Sequence, residues 1–255
     1  MKLGLVVHER DEVIDFARRF VESAQTAGMA VVGDGRVAEL VDPVPVSDGT
    51  PDMVVAVGGD GTMLAAIQVA IAHDVPIFGF NLGTIGFLTE SEPEELPRVV
   101  ESLVSGDYET VPRMGIRASL NGTTVTGLND VVVEKIDTLR LVHLEVSVDG
   151  EPFLTYRADG LIIATPTGST AYSFSAGGPL VDHSIEAILM TPVASHSLFA
   201  RTMVLSPDSV VEVRVRRERP ARASLDKVPL GEAQEGDVVE VRRAPGALRF
   251  VRFKA

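Results

Sequence analysis

A chain of 255 residues that is 45% hydrophobic and 23% charged has the make-up of an ordinary globular protein, with room for one large domain or two modest ones and a full core. Its 36 acidic against 23 basic residues give a net charge of −13, which works against nucleic-acid and anionic-membrane partners. Cysteine is absent, which excludes disulfides, thiolate nucleophiles and Cys-based metal sites and makes the cytoplasm the expected compartment.

The first hundred residues alternate between two periods. Lys2–Val7 reads as a buried strand, and His8-Glu9-Arg10-Asp11-Glu12 ends it before a signal-peptide core can form. Asp11–Ala27 places Val13, Ile14, Ala17, Phe20, Val21 and Ala24 at helical spacing, with Gly28 as the stop. Met29–Val32 is a short strand. A loop with Pro43, Pro45 and Pro51 leads into Met53–Val57, a β-branched buried strand. Thr62–His73 follows as a helix, Val75–Phe80 as a strand and Pro93–Ser105 as a last helix. The apolar run Met63–Ala72 is too short to span a bilayer. This alternation predicts an α/β domain with a parallel sheet.

After Gly106 the pattern turns β-rich. Gly115–Leu120, Asp130–Glu134, Leu141–Val148, Leu161–Ala164, Val210–Val215 and Val238–Arg242 are short and alternating. Turn signals separate them at Asn121-Gly122, Asp149-Gly150 and Glu235-Gly236-Asp237. We therefore expect an α/β domain over residues 1–108 and an all-β, sandwich-like domain over 109–255, with the last residues open to packing back on the first.

Several signatures fail on inspection. There is no P-loop and no Gly-x-Ser-x-Gly elbow, and His8, His73, His143, His183 and His196 lack metal-ligand spacing. Gly33-Asp34-Gly35-Arg36-Val37-Ala38 fits a loose dinucleotide pattern, but Pro43 and Pro45 cut its helix short, so a surface turn is the expectation. The strong signal is Val54–Thr62: a buried strand, a turn Gly58-Gly59-Asp60-Gly61, then a helix. Glycines let backbone N–H groups approach a ligand, the helix start favours phosphate oxygens, and ligands bind at the C-terminal ends of parallel strands. The plain alternative is a tight turn with Asp60 as an N-cap. Further polar clusters follow at Asn81-Leu82-Gly83-Thr84-Ile85-Gly86-Phe87-Leu88, Asn129-Asp130, and Asp159–Leu180, the last rich in small and hydroxylated residues.

These four motifs, in this order, resemble the NAD kinase family. The first is shared with diacylglycerol, sphingosine and, more loosely, phosphofructokinases; the last block is far more specific. The resemblance implies transfer of the terminal phosphate of ATP, or of inorganic polyphosphate, to the 2′-hydroxyl of the adenosine ribose of NAD, at a nucleotide site between an α/β domain and a β-sandwich. Asp60 matches the catalytic Asp. Gly58, Gly59, Gly61 and Asn81 fall in the glycine loops, and Asn129, Asp130 and Asp159 match residues that hold the dinucleotide. Thr170, Ala171, Tyr172, Ser173 and Ser175 match the adenosine pocket. Arg140 and Arg157 fall at basic contacts, and Ala194 aligns by its offset before His196. The implied cofactor is Mg²⁺ or another divalent cation, bound mainly through phosphates with Asp60 open as a ligand. The implied assembly is a homodimer or homotetramer.

Three positions depart from the family pattern: Ser195 before His196-Ser197-Leu198, Thr202 after Arg201, and Lys227 after Asp226. They bear on the late-chain contacts rather than on the chemistry. With lysine only at 2, 135, 227 and 254, phosphate charge must be met by the cation, backbone N–H groups and arginines. The one basic run, Arg214–Arg222, reads as the solvated face of a strand and its turn. Two rival readings are a lipid kinase built on the same Gly-Gly-Asp-Gly turn and a non-catalytic dinucleotide sensor; the acidic balance opposes the first and an intact Asp60 the second.

Overall fold

The computed structural model describes residues 1–33, 35–41, 47–83, 86–89, 91–197, 200–217 and 219–254. Asp34, Pro43, Pro45, Thr84, Ile85, Leu198 and Glu218, which figure in the sequence reading, lie outside the described residues. Contacts divide the chain into two compact units, Met1–Pro112 with Leu248–Ala255, and Arg113–Ala247.

The first unit runs β1 (Lys2–Val7), α1 (Asp11–Thr26), β2 (Ala30–Val32), α2 (Gly35–Leu40), β3 (Met53–Gly58), α3 (Asp60–His73), β4 (Ile77–Asn81) and α4 (Leu96–Ser105). The strands pair in parallel in the order β2-β1-β3-β4. All six residues of β3 are buried, as a central parallel strand covered on both faces requires. Met53, Val55 and Val57 share a core cluster with Phe16, Phe20, Leu96 and Val99 of α1 and α4. On the other face a side-chain carbon on Gly79 would lie 3.0 Å from Met63 Sδ of α3 and 3.4 Å from Ala56 Cβ, so that layer is close-packed too. Phe80 takes Phe16, Phe20 and Phe78 edge-on at centroid distances of 4.9, 5.6 and 5.7 Å.

Two local expectations need correcting. The surface turn expected after β2 contains α2, six residues long, because Val37 finds a buried seat in the core cluster of the unit. Helix α3 starts at Asp60, two residues before the expected Thr62, because Gly59 already has extended N-cap backbone and its carbonyl accepts from the Thr62 and Met63 N–H groups.

The second unit is all-β apart from short helical turns. Its elements are β5 (Tyr108–Leu120, from Arg113 onward), β6 (Thr123–Gly127), β7 (Asp130–Lys135), β8 (Val142–Val148), β9 (Glu151–Ala158), β10 (Gly160–Ala164), α5 (Tyr172–Ser175), β11 (Ile188–Val193), β12 (Met203–Leu205), β13 (Val211–Arg216), β14 (Ala221–Leu225), β15 (Val228–Ala233) and β16 (Val238–Phe253, up to Ala247). One antiparallel sheet has the order β12-β11-β10-β7-β14-β15; the opposing layer carries β16-β13-β8-β9 and the β5–β6 hairpin. Inward residues of both layers, among them Ile116, Val133, Leu144, Tyr156, Ile163, Met190, Val213 and Val239, form a single core cluster, so this half is a β-sandwich. The hairpins at Asn121-Gly122 and Asp149-Gly150 have both turn residues at positive φ, as the strand twist demands. Past Leu248 the end of β16 belongs to the first unit, where Phe250 pairs in parallel with Ile77 of β4.

Candidate active site

In the first unit, β3 ends at Gly58 and α3 begins two residues later. A side-chain carbon on Gly58 would lie 2.4 Å from Thr62 Oγ1 and 3.1 Å from His8 Cβ, so only glycine fits there. The half-buried Asp60 does not cap its own helix; Gly59 holds the N-cap position. The Asp60 carboxylate reaches the second glycine loop instead, accepting from the Phe87 N–H at 3.3 Å and the Leu88 N–H at 3.2 Å. That loop is pinned by Asn81, whose Oδ1 accepts from the Gly83 N–H at 3.1 Å and whose amide donates to Glu92 Oε1 at 3.3 Å. The Leu82 N–H donates to the Gly58 carbonyl at 3.0 Å, and a side chain on Gly83 would press on Gly59 Cα at 3.4 Å. Both glycine loops therefore form one backbone-on-backbone layer, with the carboxylate of Asp60 fixed between them.

In the second unit, Leu128-Asn129-Asp130 forms a corner at the start of β7. The buried Asp226 carboxylate holds it by accepting from the Leu128, Asn129 and Asp130 N–H groups at 2.6, 2.9 and 3.2 Å. Burial still outweighs those three donors and raises the Asp226 pKa. Asp130 is pushed up to about 7, first by burial and then by the Asp226 charge; the Tyr172 N–H and Lys227 oppose the shift. Asn129 is buried, and its Oδ1 has no hydrogen-bond partner. The loop after β10 packs onto this corner. The Thr165 N–H donates to the Asn129 carbonyl at 2.9 Å and its hydroxyl to the Leu128 carbonyl at 2.6 Å. A side-chain carbon on Gly168 would sit 2.1 Å from the Asn129 carbonyl oxygen, a close approach that explains the glycine.

The residues expected to line the adenosine pocket divide by role. Tyr172 is 42% exposed, and its hydroxyl pKa is raised by burial and by the carboxylates of Glu134, Asp159 and Asp130, which places it in an acidic surround. Thr170 is half-buried and Ser175 exposed. Ala171 closes a turn by donating its N–H to the Gly168 carbonyl. Ser173 is fully buried, with its hydroxyl 2.9 Å from Thr191 Oγ1, which is in turn 3.0 Å from Thr202 Oγ1. That hydroxyl chain is structural. Asp159 pairs with Lys135 at 2.5 Å. Ala194 has φ +46°, a left-handed kink after β11, and two residues on the His196 N–H donates to the Arg157 carbonyl at 2.9 Å. Arg157 is exposed on β9; the pKa of buried His143 is lowered first by burial and then by the charges of Arg217, Arg219 and Arg157, and Arg140 is exposed, 3.7 Å from Asp137.

Comparison with known proteins decides the family. The sequence model of the ATP-NAD kinase N-terminal domain matches residues 40–108, and that of the ATP-NAD kinase C-terminal domain matches residues 128–253. The chain belongs to the ATP-NAD kinase family. It is 40% identical over 264 residues to an NAD kinase of Heliobacterium modesticaldum, covering 98% of this chain and 93% of that protein. An NAD kinase of Geobacter sulfurreducens is 42% identical over 227 residues, covering 87% and 79%. Among solved structures, yeast NADH kinase complexed with NADH superposes with a TM-score of 0.90 at 25% identity, covering 100% of this chain and 84% of that one. An Archaeoglobus fulgidus NAD kinase in complex with ATP gives a TM-score of 0.77 at 24% identity, a likeness of fold.

Within this ATP-NAD kinase chain the three departures acquire local explanations. Ser195 Oγ accepts from the Ser197 N–H at 3.2 Å and closes a turn. Thr202 supplies the last hydroxyl of the Ser173–Thr191 chain. Asp226 and Lys227 form the two-residue turn between β14 and β15 with φ +48° and +68°, so a lysine occupies a left-handed position that suits glycine. Its charge is one of two influences that hold the Asp130 pKa down. The Arg run spreads over β13, the turn beyond it and β14, where Arg222 lies: Arg216 grips Glu145 with two bonds of 3.0 and 2.9 Å, Arg214 donates to the Gly236 carbonyl, and half-buried Arg219 donates to the Leu141 carbonyl. Two residues named in the sequence reading were given no place in the site there. Asp226 acts on a corner nearly a hundred residues away, and no spacing rule reports such a pairing. Lys135, the partner of Asp159, carried the signal of being one of only four lysines.

Proposed function

We propose that this chain is an NAD kinase that transfers the terminal phosphate of ATP to the 2′-hydroxyl of the adenosine ribose of NAD, with Asp60 as the catalytic residue. The observation that carries the assignment of Asp60 is its fixed carboxylate at the start of α3, held by the Phe87 and Leu88 N–H groups. Phosphoryl transfer has a loose transition state, so the protein acts chiefly by positioning groups and offsetting charge. The acceptor proton leaves late; a carboxylate held in this way orients the hydroxyl and accepts that proton as the new O–P bond forms.

In the second unit, the Asn129–Asp130 corner, Asp159, Thr170, Tyr172 and Ser175 hold the dinucleotide. The unpartnered Asn129 Oδ1 supports this role, since a buried acceptor gains most from a donor that a ligand brings. Ser173 supports the pocket from behind.

Among the described residues no group of three or more His, Asp or Glu side chains is placed to hold a metal ion. Mg²⁺ keeps much of its water and binds through substrate phosphates and one or two carboxylates. Asp60 is the residue that would hold it, and the ion would supply charge neutralisation on the phosphates.

Among the described residues no helix is long and apolar enough to cross a membrane. A cytoplasmic location, and a homodimer or homotetramer formed through the β-sandwich, complete the proposal. The sandwich has open edge strands at β12 and β15 that gain from being covered.

The experiment is an acceptor panel. The purified chain is given ATP, Mg²⁺ and, separately, NAD, NADH, a diacylglycerol or a sphingoid base. NADP from NAD, with no phosphorylated lipid, is the expected result; phosphorylated lipid without NADP overturns the assignment.

A further inference from the structure

On the outer face of the β-sandwich, three adjacent strands turn polar side chains toward a cavity of about 200 Å³ that shares no residue with the candidate active site. Ile116, Ala118 and Leu120 of β5 belong to the core, so Arg117 and Ser119, which alternate with them, face outward. Val239 and Val241 of β16 do the same for Glu240 and Arg242. β5 pairs with both β6 and β16, and Thr124 of β6 stands directly opposite Ser119. The cavity is lined by Arg117, Ser119, Thr124, Glu240 and Arg242, with Ala118 beneath them. Two guanidinium groups thus meet one carboxylate there, a local excess of positive charge in a chain whose net charge is −13.

The two arginines differ in what they already hold. Arg117 is exposed and, among the described residues, its guanidinium takes part in no hydrogen bond or ion pair. The side-chain hydroxyls of Ser119 and Thr124 are equally unengaged. Arg242 is paired with Glu240, and water reaches both partners. Glu240 in turn stands opposite Glu212 of β13, and carboxylates directly across a ladder repel. Arg242 offsets that repulsion through one edge of its guanidinium, which has five N–H donors in all. An ion pair so open to water is worth little, so a multiply charged anion can share Arg242 with Glu240 at small cost.

We propose that this cavity binds a phosphate group, free or on a small ester, at a site separate from the chemistry of the kinase. Arg117 and Arg242 meet its oxygens from neighbouring strands, the Ser119 and Thr124 hydroxyls donate from the hairpin side, and Glu240 limits the affinity by competing for Arg242. Donors converging from three strands suit the four acceptor oxygens of a tetrahedral oxyanion better than the two of a carboxylate. At ~30 Å³ of liquid volume per water, the cavity holds about six waters, room for a phosphate with a short carbon skeleton and too little for a nucleotide. β5 and β16 are also the strands along which the chain passes between its two units, and a phosphate bound here ties one to the other through their side chains.

The test is calorimetric titration of the unaltered chain, R117Q, R242Q and E240Q with inorganic phosphate and, in a second arm, with glycerol 3-phosphate. Ionic strength is held constant with sodium chloride, so that general screening is common to all four proteins. R117Q and R242Q should each weaken the anion roughly tenfold, as for a lost charged hydrogen bond in an exposed setting. E240Q should tighten it roughly threefold, by freeing Arg242 and removing a repulsive charge, a gain that no loss of folding can imitate. Melts in phosphate-free buffer should agree among the four within about 2 °C, since all three substitutions lie on the surface. Phosphate held elsewhere on the chain is untouched by these substitutions, so the differences report this cavity. Variant-dependent affinity in the first arm alone would assign the site to the free anion, and in both arms to the phosphate group whatever carries it. Affinities equal in all four proteins, or no binding of either anion by the unaltered chain at millimolar concentration, would overturn the proposal.

Discussion

Replacing Asp60 by Asn separates chemistry from binding and from folding. The carboxylate accepts two backbone N–H bonds of 3.3 and 3.2 Å. An Asn amide can keep one of them and turns its NH₂ toward the other donor. The loss is one long, half-exposed bond, about 1 kcal/mol, against a typical global stability of about 5–15 kcal/mol. The variant should therefore fold. What disappears is the proposed proton acceptor at the reacting hydroxyl, a group usually worth about 10²–10⁴ in rate, or roughly 3–5 kcal/mol of barrier. Since the dinucleotide's proposed contacts lie with residues of the second unit, the Kd for NAD should stay within about tenfold, and the loss should fall on kcat. Calorimetric titration with NAD, steady-state kinetics and a thermal melt, all on one preparation, provide the three readings. Near-normal turnover in Asp60→Asn would refute the catalytic role. A loss of NAD binding matching the loss of rate would refute the separation of roles.

Further outcomes follow from the second unit. Asp159→Ala should weaken NAD binding roughly ten- to hundredfold, as for a lost charged hydrogen bond, and leave Lys135 with the Thr138 carbonyl but without its carboxylate partner; titration with unchanged affinity would remove Asp159 from the site. Asp130, with its pKa raised to about 7, holds in the folded state a proton that the unfolded chain has already lost above pH 4. Its contribution to stability is full below pH 4 and is lost as the pH rises toward and through 7. Unfolding free energies of the parent from denaturant titration should therefore fall relative to those of Asp130→Asn between pH 5 and 8, by on the order of a few kcal/mol, and parallel curves would contradict the shift. Lys227→Gly relieves a left-handed φ of +68° and, measured near pH 5 where Asp130 is protonated, should stabilise by about 1 kcal/mol, or roughly 2–4 °C in Tm; a lower Tm would show that the lysine contributes more by its charge than it costs in strain.

The parts of the fold that were legible are those whose determinants are local. Strand β3 and helix α3 announce themselves as a β-branched run, a glycine turn and an apolar helix, and α1 as six apolar positions at helical spacing; in the structure Phe16 joins its buried face and Ile14 is only half-buried. Hairpins at Asn121-Gly122 and Asp149-Gly150 follow from the φ that such pairs tolerate. Elements that break the local rules stayed hidden. β9 has mostly exposed positions and begins Glu151-Pro152, so its alternation is faint. β11 carries Pro192 inside the sheet, paired with Leu161, where proline ordinarily argues against a strand. β16 runs on through Pro245-Gly246, well past the expected Val238–Arg242.

The candidate site divides in the same way. The glycine turns and the polar loop were visible as motifs. The bonds that give them shape join residues far apart in sequence: Asp60 to Phe87 and Leu88, Asp226 to Leu128–Asp130, and Lys135 to Asp159. Asp60 itself shows the limit. Its residue type and position in the motif marked it as catalytic or capping, and only the fold shows that the carboxylate turns away from its own helix.

The central claim is tested most directly by a time course of the purified chain with NAD, ATP and Mg²⁺, in which ADP and NADP are quantified together and the new phosphate is located by phosphorus NMR. The account predicts one NADP per ADP, with the phosphate on the 2′-oxygen of the adenosine ribose. ADP released without NADP, or a phosphate at any other position, would contradict it.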